Sequence, residues 1–293
     1  MASILNRSPL AAICFGGKDA THIRIYFQDP QGSIRETYFD SGIGWHTRPE
    51  NVIRVYFLAP DNQVVERCCT EGKTGTWTDG ALTTNHQFMA APYSQVGAVS
   101  FDSGLKEIRT YYQDTANKVC EVLFDNDTSA WFRGTNISQL AEAGTSISVI
   151  ASASCPRRLL RIYYQLPNSK FLECIMNRGG HWFRGGFSPH DDYAPGSCLS
   201  ALCSGSTEAV RVFGVNDTNR VTMAAELKDG WRDLVKLLTV IPGSVVAAIK
   251  VTAVGDGIRV YCQSSGSTIS EICSNDAGEH WFMSQPALPI SNW

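Results

Sequence analysis

The feature that most limits what this chain can become is a short apolar run that returns six times with a fixed polar companion. Ile23-Arg24-Ile25-Tyr26-Phe27-Gln28 is followed, after a turn, by Ile34-Arg35-Glu36. The same twelve-residue interval joins Arg54 to Glu66, Arg109 to Glu121, Arg161 to Glu173 and Arg259 to Glu271. A further copy, Val210-Arg211-Val212-Phe213, has Met223 in the glutamate position. Eight to eleven residues beyond each Glu or Met stands a tryptophan: Trp45, Trp77, Trp131, Trp182, Trp231 and Trp281.

Each copy reads as a β-hairpin. Apolar and polar residues alternate, β-branched and aromatic residues dominate, and turn formers such as Asp29-Pro30-Gln31-Gly32 and Pro167-Asn168-Ser169 separate the runs. The Arg and Glu lie symmetrically about the turn, which predicts that they sit opposite, or nearly so, on neighbouring strands, about 5 Å apart. The Trp falls one strand further out. A repeat of about 50 residues with three or four short strands is the mark of a β-propeller. Small-residue runs before most hairpins, such as Leu10-Ala11-Ala12-Ile13 and Val245-Val246-Ala247-Ala248-Ile249, suit an innermost strand.

The expected fold is therefore all-β: a six-bladed propeller with about four antiparallel strands per blade. It forms one domain over residues 1–293, with repeats centred on Arg24, Arg54, Arg109, Arg161, Arg211 and Arg259. One junction is short. Seven residues separate Trp45 from Ile53, about 25 fewer than elsewhere, so the second blade is expected to lack its innermost strand.

Composition excludes several classes. A net charge of −3 leaves no electrostatic footprint for nucleic acid. No run of about 18 apolar residues is present, so no membrane insertion is expected. Residues 1–9 hold no long apolar segment, so the reading has no secretory signal, and a cytoplasmic or non-classically exported protein. The ten cysteines form no paired CxxC motifs and are expected to be mostly free, buried, small apolar residues; Cys198 and Cys203 are a pair that spacing leaves open. Four N-glycosylation sequons, at Asn6, Asn126, Asn136 and Asn216, read as chance matches. No metal and no organic cofactor are expected.

Arginine offers a planar fork of donors and glutamate offers acceptors, a combination that vicinal sugar hydroxyls need. Tryptophan adds an apolar face for a pyranose. A plainer reading is an ion pair between blades beside a core tryptophan. Five recurrences at one spacing favour a ligand site, because a propeller needs no Arg–Glu pair in every blade to fold.

On these motifs the chain resembles the fungal fucose-specific lectins of the Aleuria aurantia type, which are six-bladed propellers. The motifs are Ile23-Arg24-Ile25-Tyr26-Phe27-Gln28-Asp29 with Glu36, the fourth-repeat Arg161-Ile162-Tyr163-Tyr164-Gln165, and the repeated tryptophan. The resemblance implies a multivalent lectin without catalysis, binding L-fucose of fucosylated glycans in clefts between adjacent blades. It also suggests a homodimer. Carried over, it sets Arg24 and Glu36 against Trp77, and Arg54 and Glu66 against Trp131 with Phe124 beside it. Arg109 and Glu121 face Trp182, and Arg161 and Glu173 face Trp231. Arg259 and Glu271 close the ring against Trp45 and Phe39. Arg211 faces Trp281 without a carboxylate, and that cleft is expected to bind weakly.

Two other classes compete. Ser274-Asn275-Asp276-Ala277-Gly278-Glu279-His280-Trp281 is close to the Asp-box of sialidase-like hydrolase propellers, although such boxes are structural turns. A retaining glycosidase needs a nucleophile and a separate acid about 5 Å apart, whereas these carboxylates repeat once per blade. A WD40-like interaction propeller would carry Trp-Asp pairs; here the tryptophans are followed by His46, Thr78, Phe132, Phe183, Arg232 and Phe282.

Overall fold

The structure is a computed structural model that describes residues 4–15, 21–41, 52–70, 76–85, 87–101, 107–135, 137, 139–152, 159–176, 180–189, 191–204, 209–251, 257–266 and 268–284. The described residues form six small antiparallel sheets, one per repeat. The first contains β1 (Leu10–Phe15), β2 (Thr21–Gln28) and β3 (Ile34–Ser41). The second contains β4 (Val52–Leu58), β5 (Val64–Thr70) and β6 (Trp77–Asp79), followed by a single helical turn, α1 (Ala81–Asn85). The third holds β7 (Val96–Phe101), β8 (Glu107–Gln113), β9 (Val119–Asp125) and β10 (Ala130–Arg133). The fourth holds β11 (Ser148–Ser152), β12 (Leu159–Gln165), β13 (Phe171–Met176) and β14 (Trp182–Arg184). The fifth holds β15 (Leu199–Ser204), β16 (Ala209–Val215), β17 (Arg220–Leu227) and β18 (Gly230–Thr239). The sixth holds β19 (Val246–Val251), β20 (Gly257–Ser265), β21 (Thr268–Ser274) and β22 (Phe282–Met283).

One turn design sets the register of five hairpins. Gly32, Asn62, Asn117, Ser169 and Asn219 all adopt positive φ. Each donates its N–H to the carbonyl three residues back, on Asp29, Ala59, Asp114, Leu166 and Asn216, at 2.9–3.0 Å. This is a tight turn closed by a left-handed residue, for which glycine and asparagine are suited. Side chains reinforce it: Asp29 Oδ1 accepts from the N–H groups of Gln31 and Ser33, and Asp114 Oδ1 from those of Ala116 and Lys118. Because loop length fixes hairpin register, identical turns deliver the same residues to the same rungs in every repeat.

The chain divides into two compact units, Met1–Gly44 with Gly186–Trp293, and Trp45–Gly185. In the second unit, one core lies between the second and third sheets (Val64, Leu82, Ile108, Val122, Phe124, Trp131) and another between the third and fourth (Tyr111, Val119, Ile162, Leu172, Cys174). In the first unit, the fifth and sixth sheets share a core around Phe213, Met223 and Val260, and the sixth and first share another around Ile25, Phe27 and Tyr261.

Among the described residues the second sheet has three strands and begins at the hairpin itself, in line with the short junction. With no inner strand among the described residues, Val55, Phe57 and Leu58 of β4 are half-buried, whereas their β12 counterparts Ile162, Tyr164 and Gln165 are buried. The first sheet also has three described strands, short of the expected four. Trp45 lies outside the described residues, and Phe39 is described only through its strand. Among the described residues nine cysteines are free, Cys198 and Cys203 included. The Asn216 sequon is closed to a glycan: Asn216 is buried and its Oδ1 accepts from Thr218 and the Arg220 N–H.

Candidate functional site

In all five complete repeats the glutamate stands opposite the tyrosine two residues after the arginine. The pairs are Tyr26 with Glu36, Tyr56 with Glu66, Tyr111 with Glu121, Tyr163 with Glu173 and Tyr261 with Glu271. Each arginine lies one same-face rung along, opposite Tyr38, Cys68, Leu123, Ile175 and Cys273. The expected cross-strand Arg–Glu neighbours are therefore diagonal. In three repeats they still meet directly, Nη1 to Oε1: Arg54–Glu66 at 2.5 Å, Arg109–Glu121 at 2.9 Å and Arg161–Glu173 at 2.9 Å. Arg24 Nε is 3.7 Å from Glu36 Oε1. Arg259 Nη1 donates to the carbonyls of Ile258 and Ser274.

The tyrosine is a third member that the motif contained but the chemistry assigned to it did not. The hydroxyls of Tyr56, Tyr111, Tyr163 and Tyr261 donate to Oε1 of Glu66, Glu121, Glu173 and Glu271 at 3.0, 2.7, 2.8 and 2.7 Å. Burial, and then the adjacent carboxylate, hold the phenols of Tyr56, Tyr111 and Tyr163 well above their usual range. They are fixed donors. Burial works against the charge on Arg109, and the Glu121 carboxylate more than compensates, so its pKa rises. Arg54 behaves the same way with Glu66.

A fourth member is a glycine three residues after the tryptophan. A Cβ on Gly80, Gly134 or Gly185 would stand 2.2, 2.1 or 2.1 Å from the carboxylate oxygen of Glu66, Glu121 or Glu173. Each glycine N–H also donates to the backbone carbonyl of its glutamate, at 2.9, 2.8 and 2.8 Å. The carboxylate thus lies across bare backbone, and its second oxygen accepts the next free amides: Leu82 N for Glu66 and Thr135 N for Glu121, both at 3.0 Å. The signal was legible as Trp-x-x-Gly in Trp77–Gly80, Trp131–Gly134 and Trp182–Gly185. The sixth repeat has Ser284 there, donating to Glu271 O at 3.0 Å.

Two clefts lie within the second unit. Between the second and third sheets, the Arg54 guanidinium sits over the Phe124 ring at 5.1 Å, and Trp131 packs edge-on against Tyr56 (6.0 Å) and beside Phe124 (5.4 Å). Between the third and fourth, Arg109 Nη1 lies 3.4 Å from Met176 Sδ, and Trp182 packs edge-on against Tyr111 at 6.1 Å. The structure brings these predicted residues together. Trp131 is only 2 % exposed, while Trp182 keeps part of its surface open. The indole N–H groups of both are buried with no acceptor among the described residues.

Between the fifth and sixth sheets the arrangement differs. Phe213 faces Met223, so tyrosine and glutamate are replaced together. Trp281 packs edge-on against Phe213 at 5.9 Å, but its N–H donates to Gly278 O at 2.9 Å. The Asp-box-like turn makes that bond: Ser274 Oγ accepts from Gly278 N, and Asp276 Oδ1 accepts from His280 N and Ser274 Oγ. The outer strand β18 runs on past the glutamate rung, with a register shift beside Val235, the residue opposite Met223. Val235 packs into the core around Phe213. Of the remaining predicted residues, Trp77 is half-buried and Trp231 stacks edge-on against Phe187 at 4.6 Å.

The family model described as fungal fucose-specific lectin matches residues 46–291. A fucose-specific lectin of Aspergillus oryzae is 30% identical, covering 92% of this chain and 91% of its own. The fucose-specific lectin of Aleuria aurantia is 26% identical and covers 91% of each chain. Among solved structures, the SapL1 lectin in complex with α-methyl fucoside has a TM-score of 0.80 at 26% identity, covering 98% of both chains. The Aleuria aurantia lectin, described as a six-bladed β-propeller, has a TM-score of 0.79 at 23% identity over the whole of both chains. These likenesses show the fold: a six-bladed β-propeller.

Proposed function

The chain belongs to the fungal fucose-specific lectin family, and from that premise we propose that it is a multivalent lectin that binds L-fucose-containing glycans without chemistry. The observation that carries the reading is the repeated cluster of arginine, tyrosine, glutamate and glycine beside a tryptophan, complete in the Arg54 and Arg109 clefts. In the Arg54 and Arg109 clefts, tyrosine and backbone amides hold the carboxylate rigidly against the guanidinium. Such preorganisation removes part of the ordering cost of binding a small polar ligand. The guanidinium keeps part of its surface open and donates to sugar oxygens, and the buried glutamate orients it.

Each complete site is small, so single-site affinity is modest, and a surface dense in fucosides gains about 10²–10⁴ through multivalency. Selectivity comes from the ring of sites rather than from any one of them. The proposed binding residues are Arg24, Glu36, Trp77, Arg54, Glu66, Phe124, Trp131, Arg109, Glu121, Trp182, Arg161, Glu173, Trp231, Arg259, Glu271, Phe39 and Trp45, with Arg211 and Trp281 forming an incomplete sixth site. The test is titration with methyl α-L-fucoside by calorimetry, with EDTA present, alongside a fluorogenic fucoside. Binding to several sites per chain with no turnover is expected. Absence of fucoside binding, or hydrolysis at a measurable rate, overturns the reading.

A further inference from the structure

We propose that Phe132, Phe183 and Phe282 form apolar platforms for the second sugar of a fucosylated oligosaccharide, next to fucose held at the Arg–Glu pair. The proposal rests on the fucose reading above. Its basis is the register of three sheets. Arg109 lies opposite Leu123, and Leu123 opposite Phe132. Arg161 lies opposite Ile175, and Ile175 opposite Phe183. Arg259 lies opposite Cys273, and Cys273 opposite Phe282. Residues directly opposite in an antiparallel pair share a face. Each phenylalanine therefore stands on the same face as its arginine, in the same cross-strand row, two strands out.

That row lies beside the one holding Tyr111 and Glu121. Neighbouring strands are about 4.8 Å apart, so the ring sits about 10 Å from the arginine strand, within reach of a disaccharide. The preceding tryptophan points to the opposite face, since side chains alternate along a strand. Trp131 accordingly contacts Phe124 and the second sheet, and Phe132 stands on the Arg109 side.

The three rings are 45, 47 and 48 % exposed, although they follow strongly buried or half-buried tryptophans. A single exposed phenylalanine needs no explanation. Three at one register, each in line with a binding arginine, form a continuation of the site. An exposed aromatic face matches the C–H face of a pyranose and is a poor partner for the hydroxyl groups of fucose itself. The row is not uniform. In the second sheet it reads Arg54, Cys68, Thr78, and in the fifth Arg211, Ala225, Arg232. The sites thus share one sugar and differ in what they accept beside it.

The test compares the wild type with the triple variant Phe132→Ala, Phe183→Ala, Phe282→Ala, by calorimetry against methyl α-L-fucoside and a panel of fucosyl disaccharides. The wild type should bind at least one disaccharide about two- to tenfold more tightly than the methyl glycoside, the range of one aromatic contact. The triple variant should lose that preference and keep its affinity for the methyl glycoside. Tryptophan at the same three positions should preserve the preference, which separates the platform from any effect on folding. An unchanged disaccharide preference in the alanine variant overturns the platform alone. Failure of the wild type to bind methyl fucoside overturns the fucose reading and the platform with it.

Discussion

Phe213 stands directly opposite Met223, on the rung where five other repeats place tyrosine opposite glutamate. The two replacements belong together. A glutamate facing Phe213 would lose its hydroxyl donor, and a tyrosine facing Met223 would bury a hydroxyl against a weak thioether acceptor. Met223→Glu alone is therefore expected to leave the Arg211 site inactive, because Val235 occupies the rung opposite and the Trp281 N–H is already spent on Gly278. The single variant should also be destabilised by about 1–3 kcal/mol for a buried unsatisfied group. Calorimetric stoichiometry with methyl fucoside checks this: a gain of one site per chain would contradict it.

The same logic runs in reverse in the third repeat. Glu121→Met removes the acceptor that Arg109 and the Tyr111 hydroxyl share, while Arg109 keeps its ion pair with Glu107, and should cost about 1–3 kcal/mol for the buried donor left unmade. Adding Tyr111→Phe recreates the fifth-repeat pair and should recover part of the loss without restoring binding. Chemical denaturation of the two single variants and the double variant measures the coupling. Strict additivity would show that Tyr111 and Glu121 act independently.

Gly134 carries a specific demand, since any Cβ there stands 2.1 Å from Glu121 Oε2. The clash is with the end of a side chain, so Gly134→Ala should fold and expel the carboxylate from its seat. One fucoside site per chain should be lost, with the others unchanged. Gly80→Ala and Gly185→Ala should behave alike, and Gly186→Ala, whose nearest neighbour is 3.7 Å away, is the control. Full occupancy of the Arg109 site in a fucoside-soaked Gly134→Ala crystal would refute the seat.

Cys68 lies between Arg54 and Thr78 on the binding face, and burial, then the Glu66 carboxylate, push its thiol up to about 11. The thiolate is the reactive form. Its alkylation should therefore be slow at pH 8 and accelerate about tenfold per unit between pH 8 and 10, without a plateau. Peptide-resolved mass spectrometry after timed iodoacetamide treatment reads this directly. A rate that levels off by about pH 10 would place the thiol in an ordinary environment.

Much of this protein was legible in one dimension. Strand and turn signals are local, and six repetitions made them unambiguous, so the hairpin count and the three described strands of the second sheet followed from spacing alone. Arg109, Glu121 and Trp182 were recognisable because their chemistry repeats with them. Tyr111 and Gly134 sit in the same repeats, yet nothing in the chain order says that a tyrosine hydroxyl and a bare backbone position converge on one carboxylate. That depends on which rung the turn at Asp114–Asn117 assigns to each residue, and a shift of one rung would turn every side chain to the other face. Whether an indole N–H is free for a ligand or bound to Gly278 depends on a loop folding back on itself. Composition and periodicity determine which elements form, since those signals act over a few residues. Register and packing between sheets determine which elements make a complete site, because they bring together atoms that the chain order keeps apart.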